Sequence, residues 1–253
     1  MLRGPLRKDY SKAGLSESKV ILLEAAGGLL SGLPNRLAIY ALERLRGMGA
    51  DVRLNATVSR LKADAVHLKD GTEIPAETVV WTAGVRGARS AFSWGLPADA
   101  SGRVPIEPTL QIPGHPEVYA VGDLARFEQD GRPLPMIAPV AMQQAATAAR
   151  NIQRQASGQP LLAFRFRDPG MMATIGRNAA VAHFAGLAIT GFPAWLAWLG
   201  VHLIKLIGFR NRLMVLTNWA WDYFFYERAV RLILPATSCH EPEAAPASFQ
   251  TGC

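Results

Sequence analysis

Along the first third of the chain the spacing of apolar positions changes several times. Val20-Ile21-Leu22-Leu23 is a continuous apolar run ending at Glu24, the pattern of a buried strand with a carboxylate at its end. From Leu33-Pro34-Asn35 to about Met48, apolar residues at 37, 41, 42 and 45 share one helical face, and Gly47 and Gly49 close the element. Asp51–Leu54 follows as a strand. Short strands are predicted at Val58–Leu61, Ala65–Leu68 and Glu73–Ile74, with a hairpin signal at Asp70-Gly71 between the last two. Val79-Val80-Trp81-Thr82-Ala83-Gly84-Val85 reads as a buried strand ending in small residues. Arg86–Val118 holds eight prolines or glycines after Gly87, so it reads as irregular connection with a short strand at Val104–Ile106.

The rest of the chain is organised around Val118–Phe127. Val118–Val121 is a short β-branched and aromatic run, predicted to be a buried strand that stops at Gly122-Asp123. A glycine there admits a close backbone approach, and the aspartate offers an acceptor to a sugar hydroxyl at the carboxyl end of a strand. A Pro-rich loop, 132–139, leads into a small-residue helix, Val140–Arg150. Further on, Ala180–Thr190 reads as a hairpin with Gly186 at its turn, and Pro193 starts a helix afresh.

Charge and composition narrow the class. The net charge is +7, and the five histidines (67, 115, 183, 202, 240) are scattered, with His183 inside an apolar alternating run, where it reads as a packed strand residue. No catalytic Ser/His/Asp group and no metal cluster is visible. Eight Lys/Arg stand against three Asp/Glu between Arg165 and Leu234, a basic, aromatic-rich segment suited to an anionic membrane surface. No nucleic-acid motif accompanies it. Cys239 and Cys253 lie in the tail without redox or zinc spacing, which argues against a dithiol reductase and a zinc site. Asn178–Ile204 carries no Asp, Glu, Lys or Arg, yet Pro193 leaves only about 12 uncharged residues before Lys205, too few at ~1.5 Å each to cross a ~30 Å core. Trp195, Trp198, Trp219, Trp221, Tyr223 and Tyr226 suit a membrane interface, with Lys205, Arg210 and Arg212 toward headgroups.

Five features fall in one order: Leu22-Leu23-Glu24-Ala25, the Leu33-Pro34 helix, Val79–Val85, the Gly122-Asp123 strand and the Pro139–Gln144 helix. With Gly176–Ala182, Gly191–Trp198 and Gly208–Arg212 behind them, residues 7–235 resemble the C-terminal part of type II NADH:quinone oxidoreductases, respiratory flavoproteins that do not pump protons. The resemblance implies an α/β fold, a partial two-dinucleotide-binding-domain (Rossmann-like) flavoprotein with a C-terminal membrane-associated helical region. It divides the chain into the remaining part of an NADH-binding domain (1–80), the C-terminal part of an FAD-binding domain (81–165), a membrane-associated region (166–235) and a disordered Ala/Pro-rich tail (236–253). Neither glycine-rich phosphate loop of such enzymes is present. The chain is therefore expected to be an N-terminally truncated form, inactive in isolation.

Carried over position by position, the resemblance gives Gly122 and Asp123 to the FAD ribityl chain and Ala138, Val140 and Ala141 to the flavin ring. It also assigns Ala83 and Gly84 to cofactor binding, Glu24 to the ribose of NAD(H), and Gln143 and Gln144 to the quinone. No catalytic side chain and no metal ligand follows from it. Pro139 replaces a glutamine often found in the family, which removes one amide from the quinone end. The implied cofactors are FAD and NAD(H), the partners quinone and anionic lipid, with room for a homodimer. The implied location is peripheral, on the cytoplasmic face of a bacterial inner membrane. Two readings compete: another flavoprotein of this architecture, such as a sulfide:quinone reductase or ferredoxin reductase, and a non-catalytic membrane-associated remnant. The misplaced cysteines weigh against sulfide chemistry.

Overall fold

In the computed structural model, residues 18–88 and 90–225 are described. The expectations at Tyr226, in the 236–253 tail and at both cysteines lie outside them. Strand β1 (Val20–Leu23) runs parallel to β2 (Ala50–Arg53), and α1 (Asn35–Gly47) connects them, making one βαβ unit. Pro34 sits in extended backbone at the helix start, where its carbonyl accepts the Leu37 and Ala38 amides. Gly49, at φ +88°, turns the chain out at the other end. The predicted apolar face is the buried one: Leu37 and Ala41 vanish into a core with Leu29, Val52, Ile175 and Val181, and Leu42 and Leu45 pack beside it. β1 itself is only half-buried, because it has a single neighbour.

Strands β3 (Val58–Leu61), β4 (Ala65–Leu68) and β5 (Glu73–Pro75) form an antiparallel sheet over Ala56, Val66, Leu68 and Ile74. Its Asp70-Gly71 turn is as read: Gly71 has φ +88° and the Asp70 carboxylate accepts the Thr72 amide. Val79–Val85 departs from expectation. It forms no strand, and every residue from 77 to 86 is exposed. The segment is fixed at its ends, where the Ala76 amide donates to Asp64 O and Gly87 to Ser101 O. A central strand is buried by neighbours on both sides, and none of the described strands lies beside this one.

After the short helix α2 (Ser90–Ser93), β6 (Val104–Pro105) and β9 (Ala125–Arg126) form a second parallel pair. β7 (Gln111–Ile112) pairs antiparallel with β8 (His115–Tyr119). The strand expected at Val118–Val121 is thus displaced toward the N-terminus and ends at Tyr119, because pairing with Gln111 and Ile112 holds His115–Tyr119. Ala120 is buried after it, and Gly122–Leu124 is a 3₁₀ turn. A small hairpin, β10 (Glu128–Gln129) and β11 (Arg132–Pro133), leads to α3 (Ala138–Ala156). Leu110, Phe127, Leu134, Val140, Ala148 and Phe164 make the core under this helix.

Residues 160–168 are outside any strand, yet side-chain amides hold them as a ladder would. The buried Asn151 donates to Leu162 O and Thr109 O and accepts the Leu162 amide. Gln129 brackets Phe166 in the same two-way manner, and Gln143 brackets Arg167.

β12 (Met171–Thr174), β13 (Ala180–Phe184) and β14 (Leu187–Thr190) make an antiparallel meander. Its second turn is Ala185-Gly186, both with positive φ (49° and 78°), in the two-residue form whose twist suits a hairpin. His183 lies half-buried in β13, as a packed strand residue. Helix α4 (Gly191–Lys205) follows, then α5 (Phe209–Phe225). The chain divides into two compact units, one ending at Trp198 and the other beginning at Leu199. No helix among the described residues is long and apolar enough to cross a membrane. The architecture is α/β, and among the described residues its parallel pairing is found in two separate strand pairs.

Candidate functional site

The Gly122-Asp123 turn and the start of α3 are built as one piece. Gly122 has φ +70°, a conformation that costs other residues strain, and a Cβ there would stand 3.3 Å from the Ala141 Cβ. The Gly122 amide donates to Oε1 of Gln144 at 2.7 Å, and Gln144 is 1 % exposed. Asp123, by contrast, projects an exposed carboxylate from the turn.

Helix α3 begins at Ala138 after Ile137 in extended backbone, with no side-chain cap and no acidic residue in its first turn. Pro139 stands where a missing N–H costs nothing. The Val140 and Ala141 amides turn back to Ile137 O. Nineteen aligned residues put the positive end of the helix dipole at Ala138–Ala141, and the helix's own first turn supplies no acidic side chain to meet it. Val140 is buried, and Ala138 is exposed. The turn and helix start thus offer a carboxylate acceptor, a close-approach glycine and the positive end of a helix dipole side by side. A flavin with its ribityl hydroxyls and electron-rich ring edge fits that set.

The two glutamines assigned to the quinone are both engaged. Gln144 holds Gly122, and Gln143 clasps the main chain of Arg167 at 2.8 and 3.0 Å. Glu24 stands at the end of β1, where one carboxylate oxygen accepts the Ala26 amide at 2.8 Å. No bond joins it to the 122–144 group. Ala83 and Gly84 lie in the exposed 77–86 segment; Ala83 O accepts the Trp81 indole N–H, and Gly84 has φ +83°.

Sequence reasoning overlooked Arg103. It is 8 % exposed, and its guanidinium donates to Ala125 O at 3.2 and 2.7 Å and to Leu134 O at 3.1 Å. Nearby Asp99 is held down to about 2, chiefly by the Ser101 hydroxyl; burial opposes this, and the Arg103 and Ser101 amides and the Arg126 guanidinium lower it further. Nothing in the Gly102-Arg103 dipeptide marked it, since an arginine beside a turn glycine is an ordinary surface pattern.

A βαβ unit with a carboxylate at its first strand end, and a Gly-Asp turn laid on a helix start, are features of the α/β class in which dinucleotide-binding proteins fall. Residues 10–145 match the pyridine nucleotide-disulphide oxidoreductase family, and residues 169–227 match the NDH2 C-terminal domain. The chain belongs to the pyridine nucleotide-disulphide oxidoreductase family. It is 38 % identical over 227 residues to the type II NADH:quinone oxidoreductase NdhA of Mycobacterium tuberculosis, an alignment covering 85 % of this chain and 47 % of that protein. To Ndh of the same organism, another type II NADH:quinone oxidoreductase, it is 35 % identical over 237 residues, with 88 % and 50 % covered. The chain thus spans about half the length of these relatives. Its fold is similar to that of NDH2 from Plasmodium falciparum in complex with NADH, with a TM-score of 0.78 at 13 % identity, covering 91 % of this chain and 63 % of that one.

Proposed function

We propose that this chain works in NADH:quinone oxidoreduction, carrying the flavin-ring end of an FAD site and part of an NADH site. The observation that carries the reading is the Gly122-Asp123 turn seated against Ala141 and Gln144 at the start of α3; the names of the relatives supply the reaction. The chemistry that a bound FAD would supply is acceptance of a hydride from NADH and transfer of two electrons to a quinone. The chain's residues bind and orient. Asp123 would accept a ribityl hydroxyl, and the uncapped first turn of α3, Ala138 to Ala141, would favour negative charge on the ring. Glu24, with one oxygen on Ala26, keeps the other for a ribose hydroxyl and disfavours a 2′-phosphate. Ala83 and Gly84 would flank the cofactor by backbone.

Within this reading the two glutamines divide. Gln144 is the internal prop of the turn, and Gln143, half-buried, is the quinone contact if it gives up Arg167. Residues 1–80 would then serve NADH, 81–165 FAD and 166–235 the membrane. The exposed apolar residues of the second unit support the last assignment. Ile207 is 90 %, Phe209 80 % and Phe224 75 % exposed, with Lys205 and Arg210 nearby in sequence. This suits peripheral attachment to an anionic leaflet, the cytoplasmic face of an inner membrane in this reading.

The test is NADH-dependent reduction of a soluble quinone analogue with FAD present. It is run on the chain alone and on the chain joined behind the phosphate-loop half of the M. tuberculosis relative. Turnover by the joined protein, lost in its Asp123→Ala form, supports the reading. A joined protein that binds FAD but is not reduced by NADH overturns it.

A further inference from the structure

Residues 99–103 form a strap to which three of the assigned cofactor segments are tied. The Asp99 carboxylate shapes it, accepting the Ser101 amide and hydroxyl and the Arg103 amide at 2.6 to 3.0 Å. At Gly102, φ is +77°, and a Cβ there would stand 2.9 Å from Gly87 O; one at Gly87 would overlap the Gly102 carbonyl. The Gly87 amide donates to Ser101 O. The strap therefore clamps the chain three residues beyond Ala83-Gly84. Arg103 then reaches inward. Its fork joins Ala125 O, just past the Gly122–Leu124 turn, to Leu134 O, in the loop that runs into α3. Arg103 forms no ion pair among the described residues. A cation held inside by main-chain carbonyls alone serves geometry, since a pair with a carboxylate would have offset its burial more simply.

We infer that Arg103 is the positioning residue of the flavin site: it fixes the separation of the Gly122-Asp123 turn from the start of α3 and, through its strap, the approach of Ala83-Gly84. The inference rests on the flavin reading above. Lysine keeps the charge but places one compact ammonium where two carbonyls from different segments need a fork. So Arg103→Lys should fail to rescue.

The experiment uses the full chain in wild-type, Arg103→Lys, Arg103→Met and Asp123→Ala forms. FAD is titrated into each and followed by flavin fluorescence and by the visible circular dichroism that a bound, asymmetrically held ring acquires. Hydrogen exchange at the Gly122 and Leu134 amides is measured without FAD. Both Arg103 variants are expected to weaken FAD binding by roughly tenfold, the scale of one lost charged hydrogen bond. They should also speed exchange at Gly122 and Leu134 while the α1 amides of Leu37 and Ala41 keep wild-type protection. Arg103→Lys with wild-type affinity, dichroism and exchange overturns the inference alone, provided Asp123→Ala still loses affinity. Global loss of protection in both variants, α1 included, also overturns it, since Arg103 would then be a general core residue. Where the chain alone takes up no FAD, the same titration is made in the joined protein that restores the phosphate loops; no uptake there by any form, wild type included, overturns the flavin reading and the inference with it.

Discussion

Gln144 shows how much one side chain can decide at the residue scale. Its oxygen accepts the amide of a glycine whose φ is already +70°, in a part-buried place where water is a poor substitute. Gln144→Leu keeps the volume and strands that N–H, so it should cost about 1–3 kcal/mol in a denaturant melt. If Gln144 were instead only a quinone ligand, the melt would not move. Asp99 gives a pH prediction. The Ser101 hydroxyl and its neighbours hold the Asp99 carboxyl at about 2 in the folded protein, below the ordinary 3.8 of an unfolded aspartate. The stability it contributes is therefore present above that unfolded value and is lost as pH falls through about 2. Asp99→Asn should be less stable than wild type near neutrality, and the difference should shrink as the two are melted at successively lower pH across that window. None of these bonds was visible in the sequence. Gln144 and Gly122 are 22 residues apart, and Arg103 and Leu134 are 31; apolar periodicity records which face is inside, not which carbonyl a buried polar group will find.

Among the elements, those written in local pattern were found where expected. The α1 face at 37, 41, 42 and 45, the three short strands from Val58 to Pro75 and the hairpin around Gly186 all rest on spacing and turn chemistry within a dozen residues. Val79–Val85 failed because burial of a central strand depends on its neighbours. The 160–168 segment carried no local signal at all, since its ladder comes from the side chains of Asn151, Gln129 and Gln143 on distant elements. Asn151→Ala removes three bonds from a fully buried site and should cost about 2–4 kcal/mol by thermal or chemical unfolding. The hairpin offers a gain. Ala185 holds φ +49° at an exposed turn, where a left-handed conformation costs alanine roughly 1 kcal/mol, so Ala185→Gly or Ala185→Asn should raise the melting temperature. An unchanged or lower value would mean the turn is not strained.

For the whole molecule, the asymmetry lies in the second unit, with its exposed Ile207, Phe209 and Phe224 and its basic residues. Helix α4, 15 residues long, spans about 22 Å against a ~30 Å hydrocarbon core. Attachment should therefore be superficial. Carbonate or high-salt washing is expected to release the protein from vesicles containing anionic lipid, and a Phe209→Asp, Phe224→Asp double variant should stay in the supernatant. Retention through both washes would sink this picture.

The exposed run from 77 to 86 has a consequence for how the chain is cut. A protease binds its substrate extended, and here ten residues lie extended or irregular with anchors only at Ala76 and Gly87. Trp81 offers chymotrypsin a side chain, and Arg86 offers trypsin one. Nicking should begin at these two bonds, ahead of any in α1 or α3. Whatever shields the segment in the cell would then declare itself as a lag before the first cut.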